Sequence, residues 1–245
     1  MADESPTLDL LERLAAAPDR MTFDALVRQI GLPEAVLRGR LKHLVDRGWV
    51  EADADGASYA IGVGALRPGS AYLSGDRTAR LAGPILSRLR DQLDESVRLV
   101  RLDGAFIVCL ASRESLHDPT GPAIGRRLPA LTSASGRAIL VRRPPAEIDA
   151  LLDEGVVAHT IDTAIDRAAI VTALADTRAR GWAYERGEVV PGVGCVAVAV
   201  PAAGLAPTDA ISVGVPLPRL TDDHAEDVAA CVQRAVQEVA AAVLP

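Results

Sequence analysis

The segment from residue 31 to residue 50 constrains the fold more than any other part of the chain. Its sequence, GLPEAVLRGRLKHLVDRGWV, begins with a Gly-Leu-Pro turn, and an extended run begins after Gly48. Pro33 suits the first turn of a helix, because the amide hydrogen that proline lacks has no partner at that position. Between these signals, apolar residues recur at helical spacing: Val36, Leu37, Leu41, Leu44 and Val45. The segment therefore predicts a helix with one apolar stripe.

Two shorter helices precede this segment, and a hairpin follows it. Residues 7–16 and 22–30 show helical periodicity, with Thr7 and Thr22 as N-caps and Gly31 as a stop signal. The run WVEADADGASYAIG predicts a strand, an Asp-Gly turn and a second strand. This order is that of a winged helix-turn-helix, in which one helix enters a DNA groove. Residues 1–66 are therefore predicted to form a DNA-binding domain.

The charge of the chain restricts how such a domain could bind DNA. The net charge is -7, and residues 1–66 carry seven basic and eleven acidic side chains, so a uniformly basic domain is excluded. Within residues 33–48 the balance reverses to +2. Binding would then depend on a local patch, doubled in a dimer. The predicted DNA contacts are the basic side chains of this one helix: Arg38, Arg40, Lys42, His43 and Arg47.

The rest of the chain predicts a linker and a second domain. Residues 67–93 are rich in Leu and Arg and predict a linker helix, with a boundary at Pro68-Gly69-Ser70 and an interruption at Gly83-Pro84. From Ser96 onward the sequence predicts a hairpin at Asp103-Gly104, several helices and three further short strands. This arrangement favours an α+β domain with a mostly antiparallel sheet across residues 94–245.

Several functional classes have no signature in this sequence. The three cysteines are widely spaced and form no CxxC, so neither a zinc ribbon nor a disulfide framework is indicated. GxGxxG, P-loop and HExxH motifs are absent, and we predict no cofactor, no metal and no enzymatic activity. The N-terminus has no apolar leader, and no apolar run reaches about 18 residues. A cytoplasmic protein without a membrane partner is expected.

Three blocks of sequence carry a family likeness. They are TFDALVRQIGLPEAVLRGRLKHLVDRGWVEADADGASYAIG, GRRLPALTSASGRAIL, and RGWAYERGEVVPGVGCVAVAVP followed by DAISVGVP. In this order they resemble the isocitrate lyase regulator (IclR) family of bacterial transcription factors over almost the full chain. The resemblance implies a winged-helix domain, a linker helix and a GAF-like domain that binds a small metabolite. It also implies homodimers or homotetramers on double-stranded operator DNA.

The resemblance implies an effector pocket as well. Its predicted contacts are small or hydrogen-bonding residues of the second and third blocks: Ser133, Ala134, Ser135, Gly136, Cys195, Ser212 and Gly214. An organic acid is the expected effector. Because Leu131 and Gly214 stand where the family often has His and Ser, a less polar pocket is expected than in members that bind small keto acids. Two plainer interpretations stay open, namely a tightly packed capped helix at 132–137 and an inert core position for Cys195.

Some residues depart from the family pattern or allow other functions. Glu34, Ala35, Val36 and Gly39 replace the usual small hydroxyl pair and arginine of the recognition helix. A metabolite-binding protein whose winged helix serves dimerisation or protein contact is therefore an alternative. A Cys195 nucleophile is a third hypothesis, although no base is tied to it in sequence. Glu185 and Glu188 are interpreted as solvated loop charges, with hydrogen bonding by Glu188 to loop backbone as the alternative.

Overall fold

The computed structural model describes residues 5–243, with the side chain of Ser5 left out. The chain divides into two compact units, the first ending at Gly75 and the second beginning at Asp76. Within the described residues, no helix combines the length and hydropathy that a bilayer span requires.

The first unit contains four α-helices, one short 3-10 helix (Val63–Ala65) and a small sheet in the described residues. In chain order the elements are α1 (Ser5–Ala16), β1 (Met21–Thr22), α2 (Phe23–Ile30), α3 (Glu34–Asp46), β2 (Val50–Ala52), β3 (Ser58–Ile61) and α4 (Leu66–Gly75). The sheet is antiparallel, in the order β1-β3-β2. The helices and the hairpin thus follow the order that the sequence predicts.

The local signals around α2 act as expected, but Pro33 is the N-cap of α3 and precedes its first turn, and Thr7 lies inside α1 instead of capping it. Thr22 caps α2, its hydroxyl accepting a hydrogen bond from the amide of Ala25 at 3.2 Å. Gly31 ends α2 in the left-handed region with φ 69°, which glycine adopts without steric cost. Leu37, Leu41 and Leu44 of α3 join the buried core of this unit. The apolar stripe was predicted one residue too wide, because Val36 is exposed.

The segment predicted as a linker differs from expectation. Pro68, Gly69 and Ser70 lie inside α4 instead of marking a boundary. The helical run breaks at Asp76, whose side chain caps a new helix by accepting from the amide of Ala79 at 2.8 Å. Pro84 lies within that helix, among the buried residues Ala82, Ile85 and Leu86. Burial of this apolar stripe outweighs the loss of one helical hydrogen bond at proline.

The second unit is built on one antiparallel sheet. Its elements are α5 (Arg77–Leu93), β4 (Ser96–Asp103), β5 (Phe106–Arg113), β6 (Arg127–Pro129), α6 (Ala134–Leu140), α7 (Pro145–Asp153), α8 (Arg167–Arg180), β7 (Ala183–Arg186), β8 (Val193–Ala199), β9 (Asp209–Pro216) and α9 (Asp222–Val243). The strand order is β6-β5-β4-β9-β8-β7, with every pair antiparallel. The predicted α+β class with a mostly antiparallel sheet is confirmed.

Strand alternation gives this sheet two different faces. On one face, small residues of β7 and β8 pack against Ala134 and Ala138 of α6. The alternate residues of β4, β8 and β9 are aliphatic and buried, and α5 and α9 pack against these strands. The α6 face also carries polar residues. The register of β4 and β9 pairs Arg98 with Ser212. The next row sets Gly214 opposite Cys195, and Cys195 opposite Glu185.

Candidate functional site

The first candidate site is the solvent face of α3. Opposite its buried leucines, the helix exposes Ala35, Gly39, Lys42 and Asp46, which recur at intervals of three or four residues. Space around Gly39 is open, since a Cβ built there meets no other heavy atom within 4 Å. This strip therefore carries two small residues in the N-terminal half of α3, and one cation and one carboxylate in its C-terminal half.

The five basic residues predicted to contact DNA have different surroundings. The guanidinium of Arg38 stacks on the ring of Phe23, 3.9 Å from the centroid. Arg40 is half-buried and donates a hydrogen bond to the hydroxyl of Thr7 in α1. Lys42 pairs with Asp46 at 3.0 Å, and both side chains are exposed. The last two residues, His43 and Arg47, are also exposed. Arg40 thus faces the neighbouring helix, whereas the other four are at or near the surface.

The hairpin after α3 carries carboxylates at its turn. Asp53 accepts hydrogen bonds from the amides of Ala57 and Ser58 at 2.7 and 3.1 Å, and from the Ser58 hydroxyl at 2.8 Å. These hydrogen bonds lower the pKa of Asp53, the one from the Ser58 amide most strongly. Asp53 thus remains an anion at neutral pH and organises the turn. Its negative charge would repel a phosphate placed against this turn.

The second candidate site is a cavity of about 40 Å³ on the α6 face of the large sheet. Most of its wall is apolar. Six of the seven residues predicted to contact an effector line it: Ser133, Ala134, Ser135, Cys195, Ser212 and Gly214. Gly136 has a different place, because a Cβ built there would lie 2.1 Å from the carbonyl oxygen of Ala130. Its missing side chain lets α6 pack on the preceding loop.

Arg98 of β4 also lines this cavity, and its role has no local sequence signal. The residue is buried. Its Nη2 donates to both carboxylate oxygens of Glu114 at 3.0 and 2.9 Å, and its Nε donates to the carbonyl of Pro122 at 3.1 Å. Desolvation raises the pKa of Glu114, but hydrogen bonds from Ser112 and Arg98 together with the charge of Arg98 outweigh it and lower that pKa. The pair is therefore charged at neutral pH.

Glu185 and Glu188 are not solvated loop charges, so that interpretation was wrong. Glu188 forms a two-pronged ion pair with the buried Arg137 of α6 and also accepts from the amide of Ala164 at 3.1 Å, which agrees with the structural alternative. Glu185 is buried, lines the cavity and accepts from the amide of Glu188 at 2.7 Å. Desolvation raises the pKa of Glu185 to about 8. At neutral pH it is chiefly a carboxylic acid and can donate a hydrogen bond.

The chemistry of Cys195 argues against a nucleophile. Its remaining accessible surface faces the cavity, but the thiol lies deep in the unit. Desolvation, assisted by Glu185, raises its pKa to about 12. A nucleophilic cysteine needs a lowered pKa or an adjacent base. In the described part of the chain, no group of three or more His, Cys, Asp or Glu side chains is placed to hold a metal ion.

Comparisons with known proteins identify both units. Residues 7–54 match the IclR helix-turn-helix domain, and residues 70–241 match the C-terminal domain of bacterial transcriptional regulators of IclR type. The transcriptional repressor IclR of Escherichia coli (strain K12) is 30% identical over 237 residues, which cover 95% of this chain and 86% of that protein. The repressor AllR of Klebsiella pneumoniae is 29% identical over 218 residues, or 88% of this chain and 80% of that protein.

Solved structures show the same fold. An IclR transcriptional regulator from Alicyclobacillus acidocaldarius superposes with a TM-score of 0.83 at 20% identity, covering 97% of this chain and 98% of that one. An IclR homolog from Microbacterium hydrocarbonoxydans, complexed with 4-hydroxybenzoate, superposes with a TM-score of 0.78 at 21% identity and covers 98% of each chain. From the domain matches and the full-length relatives together, this chain belongs to the IclR family of bacterial transcriptional regulators.

Proposed function

We propose that this protein binds operator DNA through the exposed face of α3 and that a small organic acid in the α6 cavity controls its affinity for that DNA. The observation that carries the effector half is the convergence of residues from α6, β8 and β9 on one cavity. The homolog complexed with 4-hydroxybenzoate supports an organic acid as the class of effector.

Four basic side chains support the DNA half of the proposal. Arg38, Lys42, His43 and Arg47 are exposed on or beside α3. The role proposed for Arg40 is structural, since its hydrogen bond to Thr7 helps to hold α3 on α1. The Lys42–Asp46 pair is exposed, so that a phosphate could replace Asp46 at little cost, because such pairs contribute about 0–1 kcal/mol.

The domain boundaries form part of the same proposal. Residues 1–66 would bind DNA, residues 67–93 would link the domains, and residues 94–245 would bind the effector in a homodimer or homotetramer. Coupling between two such sites is typically worth about 1–3 kcal/mol, or a 5–150-fold change in affinity.

Fluorescence anisotropy with labelled DNA from upstream of the gene tests this function. Binding at low salt is expected, together with a change in affinity within the range above when an organic acid is added. The control is unrelated DNA of equal length, on which the acid should have little effect.

An alternative function has one observation in its favour. The hairpin carries Glu51, Asp53 and Asp55, which would repel phosphate. In that case the winged helix serves dimerisation or protein contact, and the protein binds a metabolite without binding DNA. Anisotropy that stays flat for upstream DNA at low salt, with and without acids, would favour this alternative.

A further inference from the structure

One nitrogen of the Arg98 guanidinium, Nη1, differs from the other two nitrogens in its hydrogen bonding. Its side chain is buried, with 4% of the residue exposed. Nε and Nη2 are engaged by Pro122 and Glu114, as described above. For Nη1, no hydrogen-bond partner occurs among residues 5–243. Because Arg98 lines the cavity, a ligand or a bound water there can accept a hydrogen bond from Nη1.

Two glycines keep the space beside Nη1 open, and both line the cavity. A Cβ built at Gly121 would lie 3.0 Å from Nη1, and a Cβ at Gly214 would lie 3.4 Å from it. Gly121 has φ +83°, a conformation that favours glycine. A side chain at position 214 would also meet the hydroxyl of Thr120 at 3.0 Å. Both positions thus preserve access to the free edge of the guanidinium.

The polar groups Glu185, Cys195 and Ser212 of the cavity do not repel an anion. Glu185 is mainly uncharged at neutral pH, and the Cys195 thiol is uncharged. The Ser212 hydroxyl is neutral as well. Glu114 neutralises Arg98 from its other edge, and its side chain is 43% exposed to solvent. A second carboxylate, bound at Nη1, would therefore face a cation and neutral donors.

We propose that Nη1 of Arg98 binds the carboxylate of a small monocarboxylate in this cavity, and that Arg98 thereby sets the preference for an anion over a neutral molecule. This inference rests on the proposed effector function of the same cavity. Hydrogen bonds between an arginine and a carboxylate are roughly twice as strong as neutral ones, which suits such a role.

The cavity is small, at about 40 Å³, so short aliphatic monocarboxylates are the first acids to test.

Isothermal titration calorimetry on the full-length protein tests the inference, with acetate, propionate and butyrate each measured beside its primary amide. We expect at least one acid to bind at least tenfold more tightly than its amide, and Arg98→Gln to abolish this preference. Failure of all three acids to bind the unmodified protein, or an unchanged preference in Arg98→Gln, overturns the proposal.

Two further variants separate recognition from structural support. Glu114→Gln removes the charge partner but leaves the guanidinium, so acid binding should be kept or strengthened. A purely structural ion pair predicts equal loss in Glu114→Gln and Arg98→Gln. If Arg98→Gln does not fold, Gly214→Ala carries the test, because its methyl group approaches Nη1 and should weaken the acid at least tenfold.

A separate experiment tests the proposed effector function independently of Arg98. A broader thermal-shift screen that includes neutral compounds is run in parallel with DNA binding. If a neutral compound binds the cavity and alters DNA affinity equally in Arg98→Gln, the effector function stands and the role of Arg98 is refuted. If no compound binds and upstream DNA is not bound, the proposed function itself is refuted.

Discussion

Arg137 and Glu188 form a two-pronged ion pair that joins α6 to the loop between β7 and β8. Nη1 lies 2.6 Å from Oε1, and Nη2 lies 2.7 Å from Oε2. The side chains are only 2% and 13% exposed. The Nε of Arg137 also donates to the carbonyl of Leu131 at 2.8 Å. Because Val189 and Val190 of this loop line the cavity, the pair fixes one wall of the candidate effector site.

Breaking this pair should destabilise the second unit strongly. Glu188→Gln leaves a buried guanidinium without its counter-charge, and removing one partner of a buried pair costs about 3–5 kcal/mol. We expect a loss of that order in the free energy of unfolding, measured by chemical denaturation. Arg167→Ala is the control, since Arg167 and Asp149 are 51% and 62% exposed and such pairs contribute about 0–1 kcal/mol. Equal losses in the two variants would contradict the prediction.

The buried Glu185 should make stability depend on pH. Its pKa is about 8 in the folded protein against an ordinary value of 4.5, so between these values the folded state binds more protons than the unfolded chain. The free energy of unfolding therefore falls as pH rises through this window, by up to about 1 kcal/mol per pH unit from this group. Glu185→Gln should flatten that dependence.

Denaturation of the wild type and Glu185→Gln at several pH values between 5 and 9 checks this prediction. The two curves should differ in slope below about pH 8 and run parallel above it. Glu154→Gln, at an exposed position, is the matched control and should keep the wild-type slope. A wild-type slope in Glu185→Gln would show that Glu185 is ionised in the folded protein.

The sequence predicted the elements well, because their signals are local. Thr22, Gly31 and Ser133 each cap a helix through contacts within a few residues. The Asp103-Gly104 turn likewise joins β4 to β5. Predictions failed where packing outweighs a local signal. Pro84 continues a helix because its neighbours are buried against the sheet, and no property of the dipeptide Gly83-Pro84 reveals that.

The polar residues of the cavity were harder to predict than its small residues. Ser133, Cys195 and Ser212 stand out in a family likeness. Arg98 resembles any charged residue on an alternating strand, and only the register with Ser212 and the distant Glu114 makes it a cavity residue. Glu185 is equally inconspicuous, since its burial depends on the loop that folds over it through the amide of Glu188.

Two helical glycines should respond oppositely to alanine. A Cβ at Gly39 meets nothing within 4 Å, so Gly39→Ala should stabilise the first unit by about 0.5–1 kcal/mol through helix propensity. A Cβ at Gly136 would lie 2.1 and 2.4 Å from backbone atoms of Ala130, which cannot rotate away. Gly136→Ala should therefore cost about 1–3 kcal/mol or more. Differential scanning calorimetry compares the two, and a shift in the same direction would contradict the close approach of α6 to Ala130.

The basic residues of α3 should fall into two groups: residues that contact DNA, and residues that hold the helix in place. Lys42→Ala removes an exposed charge from the solvent face, and it should weaken DNA binding across sequences and reduce the salt slope by about 1. Arg40→Ala removes the hydrogen bond to Thr7, so it should lower the melting temperature of the first unit and leave the salt slope nearly unchanged. Anisotropy titrations at several salt concentrations measure the slopes.

Arg38 allows a sharper test of the same face. Its guanidinium stacks on Phe23 at 3.9 Å, which positions the charge at the edge of the exposed face without burying it. Arg38→Lys keeps the charge but loses the planar fork that can bind guanine at two points. If Arg38 contacts a base, this variant should lose discrimination between operator and unrelated DNA while keeping its salt slope. If Arg38 contacts only phosphate, discrimination should persist in Arg38→Lys, and only Arg38→Ala should reduce the slope.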